Sequence, residues 1–447
     1  MLKFPNNFVW GAASSAYQVE GAVHEDGRGE SIWDRFAHTP EKTYNGDTGD
    51  VACDHYHRYA ADVDLIGGLG LQAYRFSIAW PRILPQGRGK VNPAGLDFYD
   101  RLTDALLAAD VTPYAFLYHW DLPQALEDQD GWLNRDITDA FAEYTDVVSR
   151  HLGDRVKHWG TFNEPLCVSL LGYYYGAHAP GHRDDTFREA NTALHHVCVA
   201  HGKAVPILRA NIPDARVGVA INLYPIYPAT QAPEDIAAAK RFDRFHNDWF
   251  SLPMLKGEYP ADLVEMFGPS APPVQDGDMQ MICPALDYVG LNYYSRLVAA
   301  HDPESNDPLQ VKIVHVPSAQ YTVMDWEIYE DGLYDVLKKM QNEYTPIDIM
   351  ITENGCAMPD EVSADGKVHD AGRVDYLHKH IAALHRAIQD GVPVAGYFVW
   401  SLMDNFEWAQ GYSKRFGIVY VDYETQARIP KDSYAFYRNV IKQNGVQ

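Results

Sequence analysis

Two glutamates stand where a short apolar run gives way to a loop: Glu164 in TFNEP and Glu353 in ITENG. Facing each other across one pocket, two carboxyl groups can divide the work of breaking a glycosidic bond. One protonates the departing oxygen and the other attacks the anomeric carbon. Either glutamate alone also admits a lesser reading as a loop-anchoring ion pair or a helix-start residue, so the pairing carries the argument. Other polar residues recur at the ends of apolar runs: His119, Asn163, Asn222, Asn292 and, beyond the last run, Glu407.

Elements that could gather these residues are visible as short apolar runs alternating with helical stripes. The runs are Phe8 to Gly11, Ala73 to Ser77, Val111 to Tyr118, His158 to Phe162, Val217 to Asn222, Asp287 to Asn292, Asp348 to Thr352 and Val394 to Trp400. Between them, Tyr99, Leu102 and Leu106 share one helix face, as do Phe141, Tyr144 and Val148, and Val374, Leu377, Ile381, Leu384 and Ile388. Eight strands with intervening helices fit an α/β fold of the (β/α)8 TIM-barrel type, in which every strand has two neighbours and function gathers at the strand C-termini. An open doubly wound sheet is the competing architecture, but no GxGxxG turn follows the first run and no GxxxxGK[ST] occurs. Gly67, Gly68 and Gly70 read as a helix end rather than a phosphate cradle. With no linker or low-complexity tract, residues 1–447 are expected to form one domain with elaborated βα loops.

The formal charge of −24, from 61 acidic and 37 basic residues, opposes binding to nucleic acid or an anionic membrane. Neither a secretory pattern at Met1 to Trp10 nor a long apolar span is present in the sequence, so a cytoplasmic protein without a membrane partner is expected. Cys53, Cys167, Cys198, Cys283 and Cys356 are widely spaced and odd in number, which favours reduced thiols over a disulfide framework.

Seven motifs, in order, resemble glycoside hydrolase family 1 through nearly the whole chain. They are NNFVWGAASSAYQVEGA at Asn6 to Ala22, YRFSIAWPRILP at Tyr74 to Pro85, LYHWDLPQAL at Leu117 to Leu126, TFNEP at Thr161 to Pro165, GLNYYS at Gly290 to Ser295, ITENG at Ile351 to Gly355 and WSLMDNFEW at Trp400 to Trp408. The resemblance implies a retaining β-glucosidase of bacterial type, with Glu353 as nucleophile and Glu164 as acid/base, their carboxyl groups ~5–5.5 Å apart. It places Arg75 and Tyr294 beside the nucleophile. Gln18, His119, Trp120, Asn163, Asn292, Trp400, Glu407, Trp408 and Phe416 become the implied sugar-binding set, while Leu166, Cys167, His178, Asn222, Tyr224 and Trp326 are assigned to the aglycone side.

Glu407 followed by Trp408 differs from the basic, hydroxyl-bearing pattern of relatives that take 6-phosphorylated sugars, so an unphosphorylated glycone is implied. Retention of Glu164 argues against thioglycoside cleavage, where glutamine stands instead. The substrates implied are β-glucosides and short β-linked oligosaccharides, with galactoside and fucoside cleavage alongside. Many members carry NEPW where this chain has Asn163-Glu164-Pro165-Leu166, and loss of that indole puts the linkage preference in doubt.

No cofactor is expected, because a carboxylate pair cleaves glycosides without one. His119 with Asp121, and the group Asp54, His55 and His57, are candidate metal ligands, but no HExxH pattern supports them. The DHYHRY stretch is expected to make helix-end and surface contacts, and Cys167 to form pocket wall. A transglycosylating enzyme with the same two glutamates, or a noncatalytic sugar-binding barrel, remains open on sequence grounds.

Overall fold

The computed structural model describes residues 1–447 apart from 306, 345 and 346. Eight parallel strands close a barrel: β1 (Val9–Ala13), β2 (Ala73–Ser77), β3 (Thr112–Tyr118), β4 (His158–Asn163), β5 (Arg216–Asn222), β6 (Tyr288–Tyr293), β7 (Asp348–Asn354) and β8 (Val394–Trp400). Pairing runs from each strand to the next, and β8 returns to β1 through Gly396↔Val9 and Trp400↔Ala13. The expected runs thus become strands, with shifts of a few residues at their ends. Two strands end two residues later than expected: β1, which continues through the small residues Ala12 and Ala13, and β7, which continues to Asn354; Phe8 instead packs against Phe4 and Trp10.

Helices cover the barrel as their apolar spacing requires. α1 (His55–Leu69) ends at Gly70, whose φ of +75° is the left-handed conformation that glycine adopts without a Cβ penalty. α2 (Pro93–Ala108) starts with a proline whose missing N–H costs nothing in the first turn, and it buries Tyr99, Leu102 and Leu106. α3 (Ile137–Leu152) buries Phe141, Tyr144 and Val148. The long α4 (Arg188–Asn211) is buried along much of its length; His195 bonds Asp278 at 2.8 Å, and His196 bonds the carbonyl of Trp132 at 2.8 Å. Later, α5 (Glu330–Lys339) and α6 (Ala371–Gln389) follow β6 and β7, and α6 buries Leu377, Ile381 and Leu384.

One expectation is corrected in α1. His55 is a core residue rather than a surface one: its Nδ1 lies 2.8 Å from Asp62 Oδ2, and Arg428 donates to the same carboxylate at 2.9 Å. A buried carboxylate needs such partners, and the distant Arg428 supplies the counter-charge. His57 remains exposed, between Asp54 and Glu25.

The barrel loses its regular register at the ends that carry the two glutamates. Pairing of β4 with β5 shifts between Gly160 and Asn163, and that of β7 with β6 between Ile351 and Glu353. Such irregularities re-aim side chains at strand ends. Gly355 follows at once, where a Cβ would lie 1.7 Å from the carbonyl oxygen of Trp400, so the last residue of ITENG must be glycine.

Candidate active site

Glu353 ends β7 with both carboxylate oxygens occupied. Arg75, from β2, donates to Oε1 in a buried ion pair, and the Tyr294 hydroxyl donates to Oε2 at 2.6 Å. The guanidinium also donates to Asn163 Oδ1 at 2.6 Å and lies 4.0 Å above the Phe116 ring. A cation and a hydroxyl donor thus meet Glu353 through its two oxygens, which hold the carboxyl group in one orientation.

Glu164 follows β4 with φ of +50°, outside the range a glutamate prefers, and its N–H is held by the carbonyl of Ala220 at 2.9 Å. Asn292 Nδ2 donates to Glu164 Oε1 at 2.5 Å and to Asn163 Oδ1 at 3.0 Å. The Thr352 hydroxyl donates to Asn292 Oδ1 at 2.6 Å, which fixes the direction of that amide. One connected network therefore runs from Glu353 through Arg75, Asn163 and Asn292 to Glu164. Burial chiefly, then the nearby charge of Glu353, raise the Glu164 carboxyl to about 7, against the opposing pull of Cys167, Asn292 and Arg75. The two glutamates are thus chemically different: one is charge-compensated, and the other is disposed to hold a proton near neutrality.

A cavity of about 340 Å³ lies over the pair. His119, Trp120, Trp400 and Trp408 form one end, where His119 lies 5.8 Å from each of Trp400 and Trp408, ring centre to ring centre. Tyr294, Trp326 and Phe416 form an aromatic wall with ring centres 5.2 to 6.0 Å apart. Like Glu164, Trp120 (φ +80°) and Trp408 (φ +50°) have left-handed backbones, each costing on the order of 1–3 kcal/mol, and such strain persists where surrounding structure over-determines it.

Glu407 also faces this cavity. Gln18 Nε2 donates to its Oε2 at 3.4 Å and to the carbonyl of Phe406 at 2.9 Å. Burial first, then the charges of Glu353 and Glu164, raise the Glu407 carboxyl to about 8. His119 Nε2 accepts from Asn163 Nδ2 at 3.1 Å, so the neutral ring carries its hydrogen on Nδ1, which has no protein partner among the described residues. Among the described residues, that buried N–H is left without an acceptor.

Every residue of the expected aglycone set, Leu166, Cys167, His178, Asn222, Tyr224 and Trp326, lines the cavity. His178 packs against Trp33, Trp120 and Trp408 with ring centres 5.2 to 6.2 Å apart. Gln18, Asn163 and Asn292 are each 0% exposed and bond the lining residues Glu407, His119 and Glu164 respectively. Leu171, Ala177, His246, Met324, Ala409 and Gln410 also line it and carried no distinguishing sequence signal. A neighbouring cavity of about 400 Å³ shares Tyr224, His246 and Trp326 with the first. Among the described residues, no group of three or more His, Cys, Asp or Glu side chains could hold a metal ion, and no helix is long and apolar enough to cross a membrane.

Known proteins share this arrangement along its whole length. The chain is 51% identical over 447 residues to a 1,4-beta-D-glucan glucohydrolase of Thermotoga neapolitana, covering 100% of both. It is 44% identical to a bifunctional beta-D-glucosidase/beta-D-fucosidase of Bifidobacterium breve, covering 99% of each. A family 1 b-glucosidase from Thermotoga maritima superimposes with a TM-score of 0.97 at 50% identity, covering 100% of both chains. The same organism's enzyme in complex with isofagomine lactam gives 0.96, covering 99% of each. Residues 1–446 match the model of glycosyl hydrolase family 1, and the chain belongs to that family.

Proposed function

We propose that this chain is a retaining exo-β-glucosidase that releases terminal glucose from β-glucosides and short β-linked oligosaccharides, with residues 1–447 acting as one catalytic unit. The observation that carries the reading is the asymmetric glutamate pair under one cavity. Glu353 attacks C1 of the terminal sugar while the glycosidic oxygen takes the proton of Glu164, which breaks the C–O bond and leaves a glucosyl ester on Glu353. Esterification removes the charge of Glu353, and the proton affinity of Glu164 falls with it. Glu164 then accepts a proton from water as that water attacks C1, and Glu353 departs as carboxylate.

An exo mode is supported by the closed end of the cavity. His119, Trp120, Trp400 and Trp408 are each no more than 9% exposed, so a chain cannot thread past them. The indole rings offer apolar surface to the C–H face of a sugar, and Glu407, which shares that end of the cavity with His119, offers a polar partner to its hydroxyls. On the other side, Leu166 presents a smaller surface than an indole, and the second cavity past Trp326 gives length for a further sugar ring.

An unphosphorylated glycone follows from the absence of a cation more than from repulsion. Glu407, raised to about 8, carries a muted charge at neutral pH, but no lysine or arginine lines the cavity among the described residues. A phosphate there would be a buried dianion without a partner. Five unpaired cysteines suit a reducing compartment, and we place the enzyme in the cytoplasm on that ground.

Release of nitrophenol from a panel of aryl glycosides tests this reading. The β-glucoside is the expected best substrate, with the β-fucoside and β-galactoside also cleaved. The 6-phospho-β-glucoside is expected to react at least about 100-fold more slowly, as an unpaired buried charge requires. Faster cleavage of the phosphorylated sugar, or of the α-glucoside, would overturn the assignment.

A further inference from the structure

Glu164 has a second partner that the two-glutamate mechanism does not use. After Glu164, Pro165 and Leu166 lead into a π-helical segment from Cys167 to Leu171, and the Cys167 N–H closes a tight i→i−3 turn on the carbonyl of Glu164 at 3.0 Å. That turn brings Cys167 Sγ to 3.0 Å from Glu164 Oε2, with the thiol as donor. Asn222 Nδ2, from the end of β5, approaches the same sulfur at 3.8 Å. A chain of donors thus points from Asn222 through the thiol to one carboxyl oxygen.

The two oxygens of Glu164 are not equivalent. Oε1 is engaged by Asn292, whose amide is locked by Thr352, so the proton to be transferred belongs on Oε2. A protonated carboxyl oxygen keeps a free lone pair, and the thiol hydrogen fits it. The Glu164 O–H is then directed away from the sulfur.

We propose that Cys167 is a positioning residue, whose thiol orients Glu164 and favours its ionised form. The proposal rests on the reading of Glu164 as acid/base. In the first step the thiol fixes the direction of the carboxyl group. In the second, where Glu164 must be a carboxylate to accept a proton from water, the same hydrogen bond stabilises the charge.

The thiol is suited to this role because it stays protonated. Burial, then the charge of Glu164, raise its pKa well above the usual thiol range, so it donates to the carboxylate and does not compete with it for charge. Other groups coupled to Glu164 come from four elements: Glu353 from β7, Arg75 from β2, Tyr294 after β6 and Tyr224 after β5, together with Glu407 beyond β8. Of these, only Arg75 is a cation, and its guanidinium donates directly to Glu353 and Asn163. Among the described residues, Cys167 and Asn292 are therefore the side chains that donate to Glu164, and only Cys167 reaches Oε2.

A wall residue and a positioning residue differ in their effect on pH dependence. In Cys167→Ala, the alkaline limb of kcat/KM is expected to move up by about half to one pH unit, because loss of a donor to the carboxylate raises its pKa. Turnover of cellobiose should fall several-fold with a smaller change in KM. Cys167→Ser restores an O–H donor and should return the limb to its wild-type position. Partial unfolding scales the whole profile without moving its midpoint, so the readout survives a stability loss. An unmoved limb in Cys167→Ala, or a limb that Cys167→Ser fails to return, would overturn the proposal. If Glu164→Ala meanwhile loses cellobiose turnover, only the role of Cys167 fails; if it keeps full turnover, the acid/base reading fails as well.

Discussion

Replacing Glu353 with glycine is expected to lower turnover of an aryl β-glucoside by on the order of 10⁵-fold, the scale on which removal of a covalent nucleophile disables an enzyme. Among the described residues that line the cavity, the two remaining carboxyl groups are not placed to take over. Glu407 is raised to about 8 and bonded by Gln18, while Glu164 is held on the acid side of the reaction by Asn292. The substitution also leaves Arg75 buried without its anion, and breaking a buried pair in this way costs about 3–5 kcal/mol. Loss of stability must therefore be separated from loss of chemistry. Azide does this, because a small anion can enter the space left by the side chain, pair with Arg75 and attack C1 from the nucleophile's side. Rescue giving α-glucosyl azide is the expected outcome, read by proton NMR. Undiminished hydrolysis in Glu353→Gly would remove Glu353 from the mechanism.

Glu164→Ala should show a loss that depends on the leaving group. With cellobiose, whose departing hydroxyl needs a proton, kcat/KM is expected to fall by about 10²–10⁴-fold. With an activated aryl glucoside, bond breaking needs little acid help, but hydrolysis of the glucosyl enzyme slows without a base. The intermediate then accumulates, and kcat and KM fall together. Here azide attacks from the water side and yields β-glucosyl azide. The pH profile gives an independent reading. Glu164 works in its protonated form in the first step, and its carboxyl is raised to about 7, so wild-type kcat/KM is present below that pH and declines as pH rises through it. That limb should be missing in Glu164→Ala. Equal losses on both substrates with the limb intact would assign the proton transfer elsewhere.

Much of the fold was legible because parallel barrel strands are buried on both faces and read as continuous apolar runs. The helical stripes of α2, α3 and α6 face the barrel as their spacing required. The end of β1 was less visible because Ala12 and Ala13 carry little apolar signal, although both are fully buried. His55 was misread because its burial depends on Arg428, from the far end of the chain.

At the site, Glu164 and Glu353 could be read from local motifs, whereas the network joining them could not. Asn163, Asn292 and Arg75 stand on three different strands, and only barrel closure brings their polar atoms to between 2.6 and 3.0 Å of one another. The state of Glu407 is likewise a property of three carboxyl groups converging from the C-terminal ends of β4, β7 and β8. Cys167 illustrates the same limit at short range: its spacing of three residues from Glu164 does not reveal that the thiol comes within 3.0 Å of the carboxyl group. His246 and Met324 lie on long insertions after β5 and β6, where no periodic pattern marks a residue as facing the cavity.

The central claim is a double displacement in which Glu353 is glycosylated and then released by water. Real-time proton NMR of the first glucose formed from a β-glucoside tests it most directly, because each displacement inverts C1 and two restore it. The account predicts β-glucose first, with α-glucose rising only as mutarotation proceeds. Initial release of α-glucose would contradict it.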